Sequence, residues 1–144
     1  MPEESTTSDP EETVRRAREA LKRNDLDGAV AMYAPDAVWD VSLLGLEGVF
    51  EGREAIRGAW EDLRAPYEDL EFVMEEFRDL GRGVTLVVVL ARGRLRGSTG
   101  FVESRTAFVA TWANGLIERN TTYLDPDIDE ARAAAERLAK ERGG

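Results

Sequence analysis

Apolar and polar residues change period several times along this 144-residue chain, and each change marks a predicted element. Val14, Ala17 and Leu21 recur three or four positions apart, which predicts a helix over about 11–23 with Ser8 or Asp9 as its cap. Leu26, Ala29, Val30 and Tyr33 repeat that spacing in a short second helix, capped by Asp25 or Asp27 and stopped at Pro35. Residues 37–42 read as a strand, and Gly45, Gly48 and Gly52 punctuate a loop around an extended piece at Val49-Phe50. Helical spacing returns over 53–64 through Ile56, Trp60 and Leu63 and ends before Pro66. Residues 69–80 alternate as a strand with Leu70, Phe72 and Met74 on one side. From 83 to 123, Gly-containing turns at Ser98-Thr99-Gly100 and Ala113-Asn114-Gly115 separate three β-rich runs, an antiparallel meander. Asp125-Pro126-Asp127 opens a last helix with Ile128, Ala131, Ala135 and Leu138 inward. The order α-α-β-β-α-β-β-β-β-α predicts an α+β fold, with helices gathered on one face of a curved antiparallel sheet. Residues 1–10 carry no apolar residue beyond Met1 and read as a flexible tail; residues 11–142 are long enough for one core and read as a single domain.

Charge and composition narrow the chemistry. The formal net charge of −10 argues against nucleic acid and anionic membranes as partners. There is no Cys and no His, so neither a thiolate nor an imidazole is on hand, and any reaction falls to Asp, Glu, Tyr, Lys or Arg. No cluster has metal-ligand spacing, and Gly93 and Gly97 make no phosphate loop because no helix follows them, so no metal and no cofactor is expected. No basic segment followed by an apolar one opens the chain, and no apolar run reaches the ~18 residues of a membrane span; a cytoplasmic location is expected.

The runs DLDGAVAMYAPDAVWDVS (residues 25–42) and GREAIRGAW (residues 52–60), followed by a long meander ending in ANGLIE, resemble the nuclear-transport-factor-2-like superfamily, and within it the SnoaL-like branch that includes polyketide cyclases and is related to ketosteroid isomerases. The resemblance covers roughly residues 11–130. It implies a cone-shaped roll with a pocket between the concave sheet face and the helices, and frequent homodimers. That scaffold hosts isomerases, cyclases, dehydratases, epoxide hydrolases and non-enzymatic binders. The isomerase tyrosine falls on Ala17, its base near Val41 with Asp40 one place early, and its second acid on Ala107 or Phe108. The cyclase acid falls on Thr122. Both mechanisms are therefore disfavoured, unless Asp40 reaches the pocket through a bulge.

Alternation divides the meander into two faces. Glu103, Arg105, Ala107, Val109 and Thr111, with Glu118, Asn120, Thr122 and Leu124, are expected on the concave side. Val102, Phe108, Ala110 and Trp112, with Ile117, Thr121 and Tyr123, are expected on the other. That second face is apolar and predicts a homodimer through Phe108, Trp112 and Tyr123; cover by the C-terminal helix is the alternative. On the concave side Arg105 would anchor a ligand carboxylate or carbonyl, or orient an acid such as Glu103 or Glu118, or else form a structural ion pair at the mouth. Asn120 would position a water or a substrate carbonyl, or be satisfied by backbone. Asp40 would be a base if it points inward and inert if, as alternation favours, it points outward. Tyr33, Trp39, Val41, Trp60, Phe72, Ala107, Val109 and Thr122 complete the expected ligand wall. The expectation is a small, largely apolar ligand in a conical pocket, with acid–base chemistry of the isomerase, cyclase or epoxide-hydrolase kind by a carboxylate from Asp40, Glu103 or Glu118, positioned with Arg105 and Asn120. The alternative is a non-catalytic ligand-binding or dimerisation module with a filled pocket.

Overall fold

The computed structural model describes residues 9–42 and 48–143. In chain order the elements are α1 (Pro10–Lys22), α2 (Leu26–Val30), β1 (Tyr33–Asp40), β2 (Val49–Glu51), α3 (Arg53–Arg64), β3 (Tyr67–Gly81), β4 (Val84–Leu95), β5 (Phe101–Ala113), β6 (Leu116–Leu124) and α4 (Ile128–Gly143). This is the α+β order expected from the pattern. Ser8 and Gly45 lie outside the described residues, as does most of the expected tail. Asp25 caps α2, its carboxylate accepting from the Gly28 amide at 2.9 Å. Tyr33 is not the end of α2 but the first residue of β1: Pro35 disfavours helical geometry at Ala34, and the chain turns extended early.

Six strands form one curved sheet in the order β2-β1-β6-β5-β4-β3. It is mixed rather than wholly antiparallel, because β1 runs parallel to β6 with Trp39 opposite Asn120. Arg82-Gly83 and Asn114-Gly115 join their strands as two-residue turns; all four residues take positive φ, the geometry that matches strand twist. In the second hairpin a bulge changes everything downstream. The first pairs are Ala113 with Leu116 and Trp112 with Ile117, but the next is Thr111 with Arg119. One extra residue, Glu118, is taken up on β6, so Ala110 faces Asn120 and Phe108 faces Thr122.

The sheet buries both faces. Helices α1–α3 pack on the concave one. There Val30, Tyr33, Ala37, Trp39, Ile56 and Ala59 form a core with Ala110 and Trp112. On the opposite face α4 lays Ile128, Ala131 and Ala135 onto Val84, Leu86 and Val88 of β4 and Ala107 and Val109 of β5. The inward face of α4 is the expected one, but the helix covers the side of β5 that carries Ala107 and Val109, which alternation alone places in the pocket. Among the described residues, no helix is long and apolar enough to cross a membrane, and no group of acidic side chains is arranged to hold a metal ion.

Candidate functional site

Between the concave face and α1–α3 lies a cavity of about 270 Å³. Its axis can be read from exposure. At one end Leu63, Val102 and Leu124 are 41%, 42% and 38% exposed and form the rim; at the other Tyr33 is fully buried and Asn120 and Thr122 are 3% and 2% exposed. The strands deliver this gradient by alternation. Positions 85, 87, 89, 91 and 93 of β4 face in, as do 102, 104, 106, 108, 110 and 112 of β5. On β6 the bulge lets Ile117, Asn120 and Thr122 all face in. Gly93 lets the rim close: a Cβ there would lie 2.8 Å from Leu70 Cδ1 and 2.9 Å from Tyr67 Cδ1.

Aromatic rings make one wall. Trp39 and Trp60 stack with centroids 5.2 Å apart and planes 6° from parallel, and Phe72 meets Trp60 edge-on at 5.9 Å. Each buried indole N–H then needs an acceptor. Trp39 Nε1 donates to Thr122 Oγ1 at 2.8 Å, and Trp112 Nε1 donates to Thr85 Oγ1 at 2.9 Å. The third polar group of the floor is different. Asn120 Nδ2 donates to the Tyr33 hydroxyl at 2.8 Å, while Asn120 Oδ1 is buried with no partner. Burial pushes the Tyr33 hydroxyl up to about 12, with hydrogen bonds from Asn120 and Trp60 drawing it partway back. At neutral pH the phenol keeps its proton. Its backbone is fixed as well, since Arg53 Nε donates to the Tyr33 carbonyl at 3.0 Å.

Six of the residues proposed from the sequence meet in this cavity: Tyr33, Trp39, Trp60, Phe72, Asn120 and Thr122. Val41 is buried in the adjoining core without lining it. Asp40 points outward, where Ser42 Oγ donates to it at 2.6 Å and Arg119 pairs with it at 2.9 Å. The Ser42 hydroxyl and amide and the Arg119 guanidinium hold its carboxyl below the usual carboxylate range. Arg105, Ala107 and Val109 lie on the face opposite to the one expected. Arg105 pairs with Glu75 at 2.5 Å and with Asp125 at 3.6 Å, and Ala107 and Val109 pack under α4. Glu103 pairs with Arg92 and Glu118 with Arg142, so neither reaches the cavity. The residues expected at a dimer surface do not share one: Phe108 and Trp112 line the cavity, and Tyr123 packs with the α4 cluster. The reason is the same bulge. A regular two-residue hairpin would put the odd positions of β5 beside the even positions of β6, and Glu118 shifts that parity by one.

The sequence reading also missed lining residues: Thr85 in the floor and Arg18, Arg64 and Tyr67 toward the mouth. Among the described residues, no Asp or Glu lines the cavity.

The fold and this cavity define a class that comparison with known proteins identifies. The SnoaL-like domain family matches residues 14–120, and the chain belongs to it. Solved structures share the fold. An NTF2-like protein of unknown function from Burkholderia pseudomallei is 23% identical, with 88% of this chain and 97% of that one covered at a TM-score of 0.70. IdmH from Streptomyces antibioticus, a candidate polyketide cyclase, is 22% identical over 88% and 99% of the two chains at a TM-score of 0.69. A protein from Catenulispora acidiphila with a ketosteroid isomerase-like fold, in complex with trimethylamine, is 15% identical over 78% and 84% at a TM-score of 0.68. At these identities the likeness is one of fold. No curated protein matches the chain. Of the positions that the family resemblance assigns to catalytic groups, Ala17, Phe108 and Thr122 line the cavity and carry no ionisable side chain, while Val41 lies in the adjoining core and Ala107 under α4.

Proposed function

We propose that this SnoaL-like domain binds a small, largely apolar molecule whose inner end carries a group able to accept and donate a hydrogen bond, as a hydroxyl or enol does. The observation that carries this reading is the Tyr33–Asn120 pair. The Tyr33 hydroxyl accepts from Asn120 and keeps its own proton free to donate, while Asn120 Oδ1 waits for a donor. A buried acceptor left unsatisfied costs roughly 1–3 kcal/mol, which a ligand hydroxyl would recover. The stacked Trp39 and Trp60 with Phe72 supply a flat apolar wall for the rest of the molecule.

Binding is supported better than acid–base chemistry. Proton abstraction at carbon needs a base within reach, and the described lining holds only neutral groups and arginines. Tyr33, with its proton held up to about 12, serves as a donor and not as a base. The test is calorimetric titration with naphthol and with its methyl ether, which keeps the acceptor and loses the donor. Naphthol should bind roughly three- to tenfold tighter, and Asn120→Ala should erase that difference. Equal affinities for the wild-type protein would contradict the assignment of the floor.

A further inference from the structure

The cavity contains two charges that the polar floor does not explain. Arg18 of α1 and Arg64 of α3 are the only charged side chains among its described lining residues. Several other arginines of this chain meet carboxylates, as Arg57 does Asp27, Arg94 does Asp69 and Arg105 does Glu75, while Arg53 and Arg96 donate to backbone carbonyls. Arg18 and Arg64 meet no carboxylate among the described residues. Among the described residues Arg18 Nη1 reaches the Phe72 carbonyl alone, at 3.5 Å, and Arg64 Nη1 donates to Asn24 Oδ1 at 2.6 Å. The Nε of each is buried without a partner. A guanidinium is a poor choice for lining an apolar cavity unless an oxygen anion completes it, because its fork of donors matches a carboxylate or similar group and its charge is costly to leave unpaired. In a chain of net charge −10 acids are plentiful, yet none of the described ones lines this cavity; Glu61, Glu68 and Asp69 border a second cleft that Arg64 also touches, and none of them makes an ion pair with it.

We infer that the ligand carries an acidic group, held by Arg18 and Arg64 toward the mouth while its apolar body lies along Trp60 and Phe72. This rests on the reading of the cavity as a ligand site, and names the ligand class: an apolar organic anion. The donor-and-acceptor end on Tyr33–Asn120 and the acid on the arginines together orient the molecule along the axis of the cone.

A matched pair of fluorescent probes separates this inference from the reading beneath it. Anilinonaphthalenesulfonate and N-phenylnaphthylamine share the same rings and N–H, and only the first carries an anion. With the full chain at low salt, the sulfonate should bind at least about tenfold tighter. Added salt should weaken the sulfonate alone, since two partly exposed charges are screened. In the double variant Arg18→Gln/Arg64→Gln the preference should vanish while N-phenylnaphthylamine binding stays within about twofold, which also reports that the cavity persists. Equal affinities in the wild-type protein, or a preference that survives the double substitution, would overturn the acidic-ligand inference and leave the cavity reading standing. Loss of both probes in the double variant alone would assign the arginines a structural role and overturn it too. Failure of both probes to bind the wild-type protein would overturn the cavity reading and this inference with it.

Discussion

Tyr33 fixes the chemistry of the floor. It is fully buried, its carbonyl is tied to Arg53 and its hydroxyl to Asn120. Because burial pushes the phenol up to about 12, while an unfolded tyrosine ionises near 10, the folded protein holds a proton that the unfolded chain releases in that interval. The contribution is fully present below about pH 10 and is lost as pH rises toward about 12. Urea midpoints for the wild-type protein should therefore fall between about pH 10 and about pH 12, and Tyr33→Phe should flatten that fall. Tyr123, also raised by burial, accounts for a remainder. An equal fall in the variant would contradict the placement of Tyr33. At this scale much was legible in the sequence. Strand alternation sends Trp39 in and Asp40 out, and the aromatics at 33, 39, 60 and 72 stand at positions that helical and strand spacing turn inward. Arg18 and Arg64 carried a signal that went unread: each follows an apolar residue by four, Val14 and Trp60, and so stands in the apolar stripe of its helix.

At the scale of elements, order and type follow from periodicity, and face does not. Alternation sorts each strand into two sets without saying which set is inside; the register between strands decides that. Between β5 and β6 the Asn114-Gly115 turn predicts one register, and the bulge at Glu118 imposes the next. Nothing in the local composition marks it. The inversion moved Arg105, Ala107 and Val109 to the side of α4 and brought Thr106, Phe108 and Ala110 into the cavity. Helix α4 fits that outer face because its contact residues are small: Ala131 is fully buried and Ala135 nearly so. Ala131→Leu should overpack this layer and cost about 1–3 kcal/mol in urea denaturation, with probe affinity in the cavity unchanged. A neutral effect on stability would mean that α4 does not dock as described.

For the whole molecule, one sheet does two jobs. Its outer face, with α4, is core; its inner face, with α1–α3, stops short of filling the cone and leaves about 270 Å³ between an uncharged floor and a pair of arginines. The SnoaL-like scaffold is retained, while the lining positions to which the resemblance assigns a tyrosine and two acids carry Ala17, Phe108 and Thr122. The central claim is that the even positions of β5 line an open, ligand-accessible cavity. Thr106 and Arg105 test it, being neighbours in sequence and on opposite faces. The measurement is N-phenylnaphthylamine binding to the wild-type protein, Thr106→Trp and Arg105→Ala, with far-UV circular dichroism confirming that all three are folded. The account predicts that the new indole at 106 weakens the probe by more than about tenfold and that Arg105→Ala stays within about twofold. Binding that survives at 106 and is lost at 105 would contradict it.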